Sequence, residues 1–556
     1  MSQLQNFRDQ FPLLEQQVNG KPLIYFDNGA TTQKPSSVIA ASGQFYQSQN
    51  ANVHRASHAI STRATQAFEE TRRQVQAFIG AQYSHEVIWT SGTTHAINLI
   101  AQCWALENLT AGDEIIISVA EHHANIVPWQ VVAEQTGARL VAVGLTDKGI
   151  VDLADFETCL THRTKLVAVN HIANVTGMIN PIEAIIARAK EVGAKTLIDG
   201  AQAIAHLPIN VTELDCDFYV FSAHKMYGPT GLGVLYAKQA LLMQMKPYQY
   251  GGEMIKTVSL KTGTVFNELP FKFEAGTPNI VGVVAFAKAI ELIKDNFDFI
   301  HQQDAALSQY LFDKLTDTDG VELVFSRQAD IPLYAFVVNN HHNQDVSSYL
   351  DSQGIAIRAG HHCAMPLMES LHMNGCLRVS LAPYNTMAEI DIFIDKLTVF
   401  IKGETDSCLD TGSGNELATS IRSESMEMNE IIERFTQAKS WDQKHREIML
   451  LGKSFERMDK TLRSAQSLIS GCESQAWLVA IKQGETFYFY ADSDAKIVRG
   501  LLRITLAAYQ HKTAAQIQAF DINAYFEKLG LLSHLSPSRG NGLLAIVEKI
   551  KALALS

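Results

Sequence analysis

Short, almost wholly apolar runs alternate with helical patterns between residues 85 and 240. Val87-Ile88-Trp89, Glu114-Ile115-Ile116-Ile117-Ser118, Lys165-Leu166-Val167-Ala168-Val169, Thr196-Leu197-Ile198 and Phe218-Tyr219-Val220-Phe221 each read as a strand buried on both faces. Such strands separated by helices predict an α/β fold with a parallel or mixed sheet, whose chemistry sits at the strand ends. After Thr90 the chain runs through Ser91-Gly92-Thr93-Thr94 to Ile97, Ile100, Ala101 and Trp104, the i, i+3, i+4, i+7 spacing of a helix face. A strand, a small-residue turn and a helix N-terminus are expected there.

Residues 404–420, ETDSCLDTGSGNELATS, break this periodicity with small, polar and acidic side chains, as a flexible linker does. Beyond it lie an amphipathic segment near Ile431 to Phe435 and two β runs, Trp477 to Ile481 and Phe487 to Tyr490, flanking Lys482-Gln483-Gly484. Helical patterns resume from Ala495 onward. The paired runs read as a hairpin, so residues 421–556 are expected to form a small α+β domain.

Composition narrows the function. The 556 residues are 46% hydrophobic and 19% charged, as in folded globular chains. The net charge of −12 argues against a nucleic-acid partner, which requires clustered cations. No apolar stretch reaches the about 18 residues of a membrane helix, and MSQLQNFRDQ lacks a signal-peptide pattern, so a cytoplasmic protein without a membrane partner is expected. The seven cysteines, at 103, 159, 216, 363, 376, 408 and 472, include no C-x-x-C pair and suggest free thiols. His122-His123 and His361-His362 are adjacent, so their side chains diverge, and no metal site is expected.

The strongest local signal is Phe221-Ser222-Ala223-His224-Lys225, a strand that turns and ends on a lysine. Alone it would read as a surface lysine, but at a sheet edge its amine can form a Schiff base with a carbonyl cofactor. Leu197-Ile198-Asp199-Gly200-Ala201-Gln202 places a carboxylate just past a buried strand, where it can hold a pyridine nitrogen protonated. Gly92-Thr93-Thr94 offers amides and hydroxyls for a phosphate, and Glu121-His122-His123 places an imidazole after a strand, within reach of a cofactor ring. Each feature has an ordinary structural explanation, and together they suggest pyridoxal 5'-phosphate.

Residues 1–403 resemble the SufS-type, group II cysteine desulfurases of the fold-type I pyridoxal phosphate enzymes. The matching stretches are Asp27-Asn28-Gly29-Ala30-Thr31, Asn52-Val53-His54-Arg55, SGTTHAIN, EHHANIVPW, NVTG at 174–177, IDGAQ, FSAHKMYGPTG, EAGTPN at 274–279 and RAGHHCAMP at 358–366. Gly29 and Ala223 stand where relatives often carry Ala and Gly, and neither change removes a functional group. The resemblance implies a large cofactor domain over residues 20–265 and a smaller α+β domain from 1–19 and 266–403. It implies that Lys225 bears the cofactor, Asp199 pairs with the pyridine nitrogen, Gln202 contacts the ring hydroxyl and His122 stacks on the ring. Thr93, Thr94, Ser222 and His224 would hold the phosphate, joined by Thr277 of the partner subunit in a homodimer. Asn174 and Arg378 would anchor the substrate carboxylate, with Arg358, His54 and Arg55 also assigned to substrate binding.

Cys363 lies between Gly360 and Pro366, in a segment that reads as a loop, with Arg358, His361 and His362 near enough in sequence to favour a thiolate. The resemblance implies that this thiolate takes sulfur from L-cysteine as a persulfide and leaves L-alanine. Ser470-Gly471-Cys472-Glu473-Ser474-Gln475-Ala476-Trp477, Ala491-Asp492-Ser493-Asp494 and Leu535-Ser536-Pro537-Ser538-Arg539-Gly540 resemble the SufE sulfur acceptors. Cys472 would then accept sulfur from Cys363 for delivery to an iron-sulfur scaffold. A selenocysteine lyase, an aminotransferase and a desulfurase whose C-terminal domain only docks a scaffold remain the alternatives.

Overall fold

The computed structural model describes residues 3–55, 57–403, 428–438, 441–459, 462–464, 466–469, 474–531 and 537–555. The linker expected at 404–420 and the cysteines at 408 and 472 lie outside these residues. The chain divides into two compact units. One comprises residues 1–17, 22–337 and 355–395, and the other residues 18–21, 338–354 and 396–556.

The first unit is built on a seven-stranded sheet. Across it run Val87–Thr90, Gly233–Ala237, Phe218–Ser222, Lys195–Asp199, Thr164–Asn170, Glu114–Ser118 and Arg139–Val143. Gly233–Ala237 is antiparallel to both its neighbours, and the strands from Phe218–Ser222 through to Arg139–Val143 pair in parallel. Strand periodicity divides the apolar residues between two cores. Val87, Ile116, Val167, Val169, Ile198, Tyr219 and Phe221 enter one cluster. Ile88, Ile115, Ile117, Leu166, Ala168, Leu197, Phe218 and Val220 enter the other. Unbroken apolar runs are thus what a sheet covered on both faces requires, each buried large side chain contributing about 1.5–3 kcal/mol.

Two strands carry weaker signals. Arg139–Val143 is an edge strand whose first four residues are exposed or partly exposed, and only Val143 is buried. Gly233–Ala237 begins where the backbone must pass close to the turn at Gly92: a Cβ on Gly233 would lie 2.5 Å from Gly92 Cα.

A second sheet in this unit orders Val321–Leu323, Leu333–Val338, Cys376–Ser380 and Arg358–Gly360. Its last two strands pair antiparallel with Arg358 directly opposite Arg378.

The second unit holds the expected hairpin, Ala476–Gln483 against Thr486–Ser493, with Gly484 at φ +63° in the turn. Its core gathers Ile448, Leu451, Phe489, Leu502, Tyr509 and Phe526. The helices Trp441–Ser454 and Lys496–Tyr509 meet through facing glycines. A Cβ on Gly452 would stand 2.0 Å from the Lys496 carbonyl oxygen, and one on Gly500 2.0 Å from that of Ile448. Among the described residues no helix is long and apolar enough to cross a membrane.

Candidate active site

The parallel strands of the large sheet deliver their last residues to one edge. Asn170 and Asp199 end neighbouring strands in direct register, and Ser222 ends the next strand before the turn Ala223–Lys225. These residues line a cavity of about 230 Å³ together with Thr93, Thr94, His122, Asn174, Gln202, His224, Lys225, Arg358, His362, Cys363 and Arg378. Twelve of the sequence-derived positions are thereby brought together within one chain. His54, Arg55 and Thr277 are not among the lining residues. His54 and Arg55 instead pair with Glu253, Arg55 at 2.8 Å, and His54 is also 2.9 Å from Glu69. Thr277 is exposed.

Each charged group has a defined setting. Burial raises the Asp199 carboxyl above its ordinary range, opposed by the Ala201 N–H at 2.9 Å and by Lys225. Lys225 is lowered to about 8 by burial, with Arg378 and Arg358 adding to the effect and Asp199 opposing it. His122 is lowered to about 4 by burial and then by Lys225, so its ring is neutral near pH 7. Its Nδ1 accepts from the Ala124 N–H at 3.1 Å, which leaves the single ring proton on Nε2. His224 is likewise lowered to about 4, by burial, Lys225 and Lys34.

Ser222 Oγ accepts from the Thr93 N–H at 2.8 Å and lies 2.7 Å from Thr93 Oγ1, joining the strand end to the start of helix Thr93–Ile100. Exposed Thr94 follows at the cavity wall. Gln202 Nε2 donates to the Gly29 carbonyl at 2.8 Å. Asn174 Nδ2 donates to the His362 carbonyl at 2.7 Å, and its own carbonyl accepts from Arg378 Nη1 at 3.0 Å.

Cys363 is exposed, in a turn where both His362 and Cys363 have positive φ, +54° and +56°. Two consecutive left-handed residues without glycine constitute strain that the surroundings must hold. The His123 N–H donates to the Cys363 carbonyl at 2.7 Å, and His123 Nε2 accepts from the Met365 N–H at 3.1 Å. Cys103, Cys216 and Cys376 are buried, which pushes each thiol up to about 12. The half-buried Cys159 is raised by burial and by Asp155. Among the described cysteines, Cys363 alone is exposed and lines the cavity.

The sequence pattern gives Asn170 no role and places His362 only near Cys363, yet both line the cavity. Asn170 could have been found as the residue ending the strand beside Asp199. His362 is 6% exposed, its Nε2 donates to the Cys376 carbonyl at 3.1 Å, and its Nδ1 has no hydrogen-bond partner. No sequence signal indicated that orientation.

A lysine, a buried carboxylate, a neutral imidazole and a hydroxyl-lined helix start share one cavity, and this donor set fits pyridoxal phosphate. Residues 24–393 match the family model described as aminotransferase class-V. The chain belongs to that family. Its class-V module is similar to a probable cysteine desulfurase of Vibrio cholerae, 49% identical over 400 residues, which cover 71% of this chain and 97% of that protein. The same module is similar to the solved cysteine desulfurase CsdA of Escherichia coli in its S-sulfonic acid form, with a TM-score of 0.67 and 39% identity over 72% of this chain and 99% of that one. The apo cysteine desulfurase of Thermococcus onnurineus NA1 gives a TM-score of 0.68 and 35% identity, again covering 72% and 99%. Beyond the class-V module, residues 429–554 match the Fe-S metabolism associated domain, SufE.

Proposed function

We propose that the protein is a pyridoxal phosphate-dependent cysteine desulfurase that converts L-cysteine to L-alanine and passes the sulfur to its own SufE-like domain, for iron-sulfur cluster assembly. The observation that carries this reading is the convergence of Lys225, Asp199 and an exposed Cys363 on one cavity.

The cofactor, when bound, supplies the electron sink that accommodates the electron pair left at the substrate Cα. Lys225 would bear it, Asp199 would face the pyridine nitrogen, and Gln202 and His122 would border the ring. Thr93, Thr94, Ser222 and His224 would hold the phosphate, with Thr277 of the partner subunit completing the cradle in a homodimer. Arg378 and Asn174 orient the substrate carboxylate, the guanidinium supplying charge and N–H donation. Arg358 adds positive charge beside them. His54 and Arg55, which pair with Glu253, are assigned to substrate binding.

Lys225, with its amine lowered to about 8, is poised to move the α-proton near neutral pH. The Cys363 thiolate attacks the substrate sulfur, the Cβ–S bond breaks, and its electron pair remains on carbon, where a proton replaces sulfur. The balance is L-cysteine plus the Cys363 thiol giving L-alanine plus a Cys363 persulfide. Neutral His122 donates from Nε2 or accepts a proton during this exchange. Thiol attack by Cys472 on the outer sulfur then regenerates the Cys363 thiol and leaves the persulfide on Cys472.

The test is peptide mass spectrometry after brief exposure of the purified protein to L-cysteine without reductant. One added sulfur on Cys363 and on Cys472, with the latter lost in Cys363→Ser, supports the relay. Sulfur on Cys363 alone would reduce the SufE-like domain to a docking module. Sulfur on neither would overturn the desulfurase reading in favour of a selenocysteine lyase or aminotransferase.

A further inference from the structure

Arg358 and Arg378 face each other across an antiparallel strand pair, an arrangement that is unfavourable for two like charges. Asp27 resolves it. One of its oxygens lies 3.1 Å from Arg358 Nη2 and 3.2 Å from Arg358 Nε, and the other lies 3.1 Å from Arg378 Nη2. Asp27 comes from the segment Asp27-Asn28-Gly29, fastened beside the strand Cys376–Ser380 by the bridge between Asp27 and Ser380.

Arg378 is almost fully buried, with a relative exposure of 2%. Its Nη1 donates to the Asn174 carbonyl and its Nη2 to Asp27, while Nε has no partner. A buried guanidinium lining a cavity with a free N–H is an incomplete site, because an unpaired buried donor costs about 1–3 kcal/mol. A carboxylate binding side-on takes two neighbouring N–H groups of a guanidinium. Nε is the unpartnered, buried member of that pair, and the adjacent Nη2 is already shared with Asp27.

We propose that Asp27 is a built-in carboxylate that holds the two guanidiniums in the resting protein and competes with the substrate carboxylate for Arg378, thereby setting affinity for carboxylate ligands. The inference rests on the reading of Arg378 as the substrate-carboxylate anchor. Removing the Asp27 charge removes both the competition at Nη2 and the repulsion between two anions a few ångströms apart. Arg378 retains its anchor on the Asn174 carbonyl. Arg378 is also the more buried arginine, so the effect concentrates there.

The experiment is calorimetric titration of the cofactor-loaded protein with propionate, a carboxylate with neither amine nor thiol. Asp27→Asn and Asp27→Ser should each bind propionate about fivefold more tightly than wild type, and Asp27→Glu should remain within about twofold of it. In turnover, KM for L-cysteine should fall in the two neutral variants by more than kcat changes. Equal or weaker propionate binding in a folded neutral variant would overturn the proposal while leaving the role of Arg378 intact. Arg378→Gln should abolish propionate binding, and persistence of binding there would overturn the anchor reading and this inference with it.

Discussion

The carbonyl of Cys363 accepts a 2.7 Å hydrogen bond from the backbone N–H of His123, the residue immediately after the cavity-lining His122. The loop that carries the exposed thiol is thus fastened to the segment that carries the neutral imidazole. The second fastening is the His123 ring, which accepts from the Met365 N–H. Removing the ring leaves the first bond and loses the second. His123→Ala should slow alanine formation by about 2- to 10-fold, the equivalent of one hydrogen bond, with cofactor absorbance unchanged. Parallel steady-state rates and absorption spectra check this.

His122 itself should matter more. Its ring offers an Nε2 proton at the cavity and has a pKa lowered to about 4, mainly by burial. His122→Ala should lower kcat by about 10²-fold at full cofactor occupancy, as expected for loss of a positioned proton donor or acceptor. Turnover within a few-fold of wild type would show that the proton travels by another route.

Acid should expose the cost of keeping buried histidines neutral. His171 is 5% exposed, with Nδ1 3.0 Å from the Tyr219 hydroxyl, and burial lowers it to about 4. Its folded pKa is below the unfolded value of about 6.5, so the unfolded chain binds more protons between the two. Its contribution is full above pH 6.5 and is lost as the pH falls towards 4. Between pH 7 and pH 5 the loss is about 2 kcal/mol. His171→Gln should shrink the difference between unfolding midpoints at those two pH values, with the subtraction isolating this residue from neighbours such as Glu121, which burial raises to about 7.

The buried Arg72 should be costly to truncate. It makes two hydrogen bonds to Glu274, at 2.7 and 2.9 Å, one to the Val87 carbonyl and two to Glu69. Arg72→Ala would strand Glu274, whose side chain is 5% exposed, with only the Trp89 N–H at 2.8 Å. The expected loss is about 3–5 kcal/mol in denaturant unfolding, partly recovered by adding Glu274→Gln.

How far the sequence could be read followed from the physics of each feature. Five strands of the large sheet stood out because burial on both faces demands unbroken apolar runs, and Asp199 and Lys225 stood out because they follow two of them. Arg139–Val143 and Gly233–Ala237 did not, although both runs are largely apolar: the first lies at the sheet edge, where burial is incomplete, and the second opens on a glycine. The Cys363 loop was legible from Gly360 and Pro366, but its paired positive φ angles were not. The bridge from Asp27 to Arg358 and Arg378 joins residues more than 300 positions apart, which no local pattern reports.

The strand Gly233–Ala237 has a further consequence for the lysine. Gly233 pairs with Ser222 on one side and Thr90 on the other, so the loop bearing Lys225 leaves the sheet at Ser222 and re-enters beside it. Inserting or deleting a residue within that loop changes its bulge, while the clamp at its base keeps the flanking strands from sliding. The loop is therefore tethered at both ends, and circular permutation within it would cut the tether that keeps the amine in place.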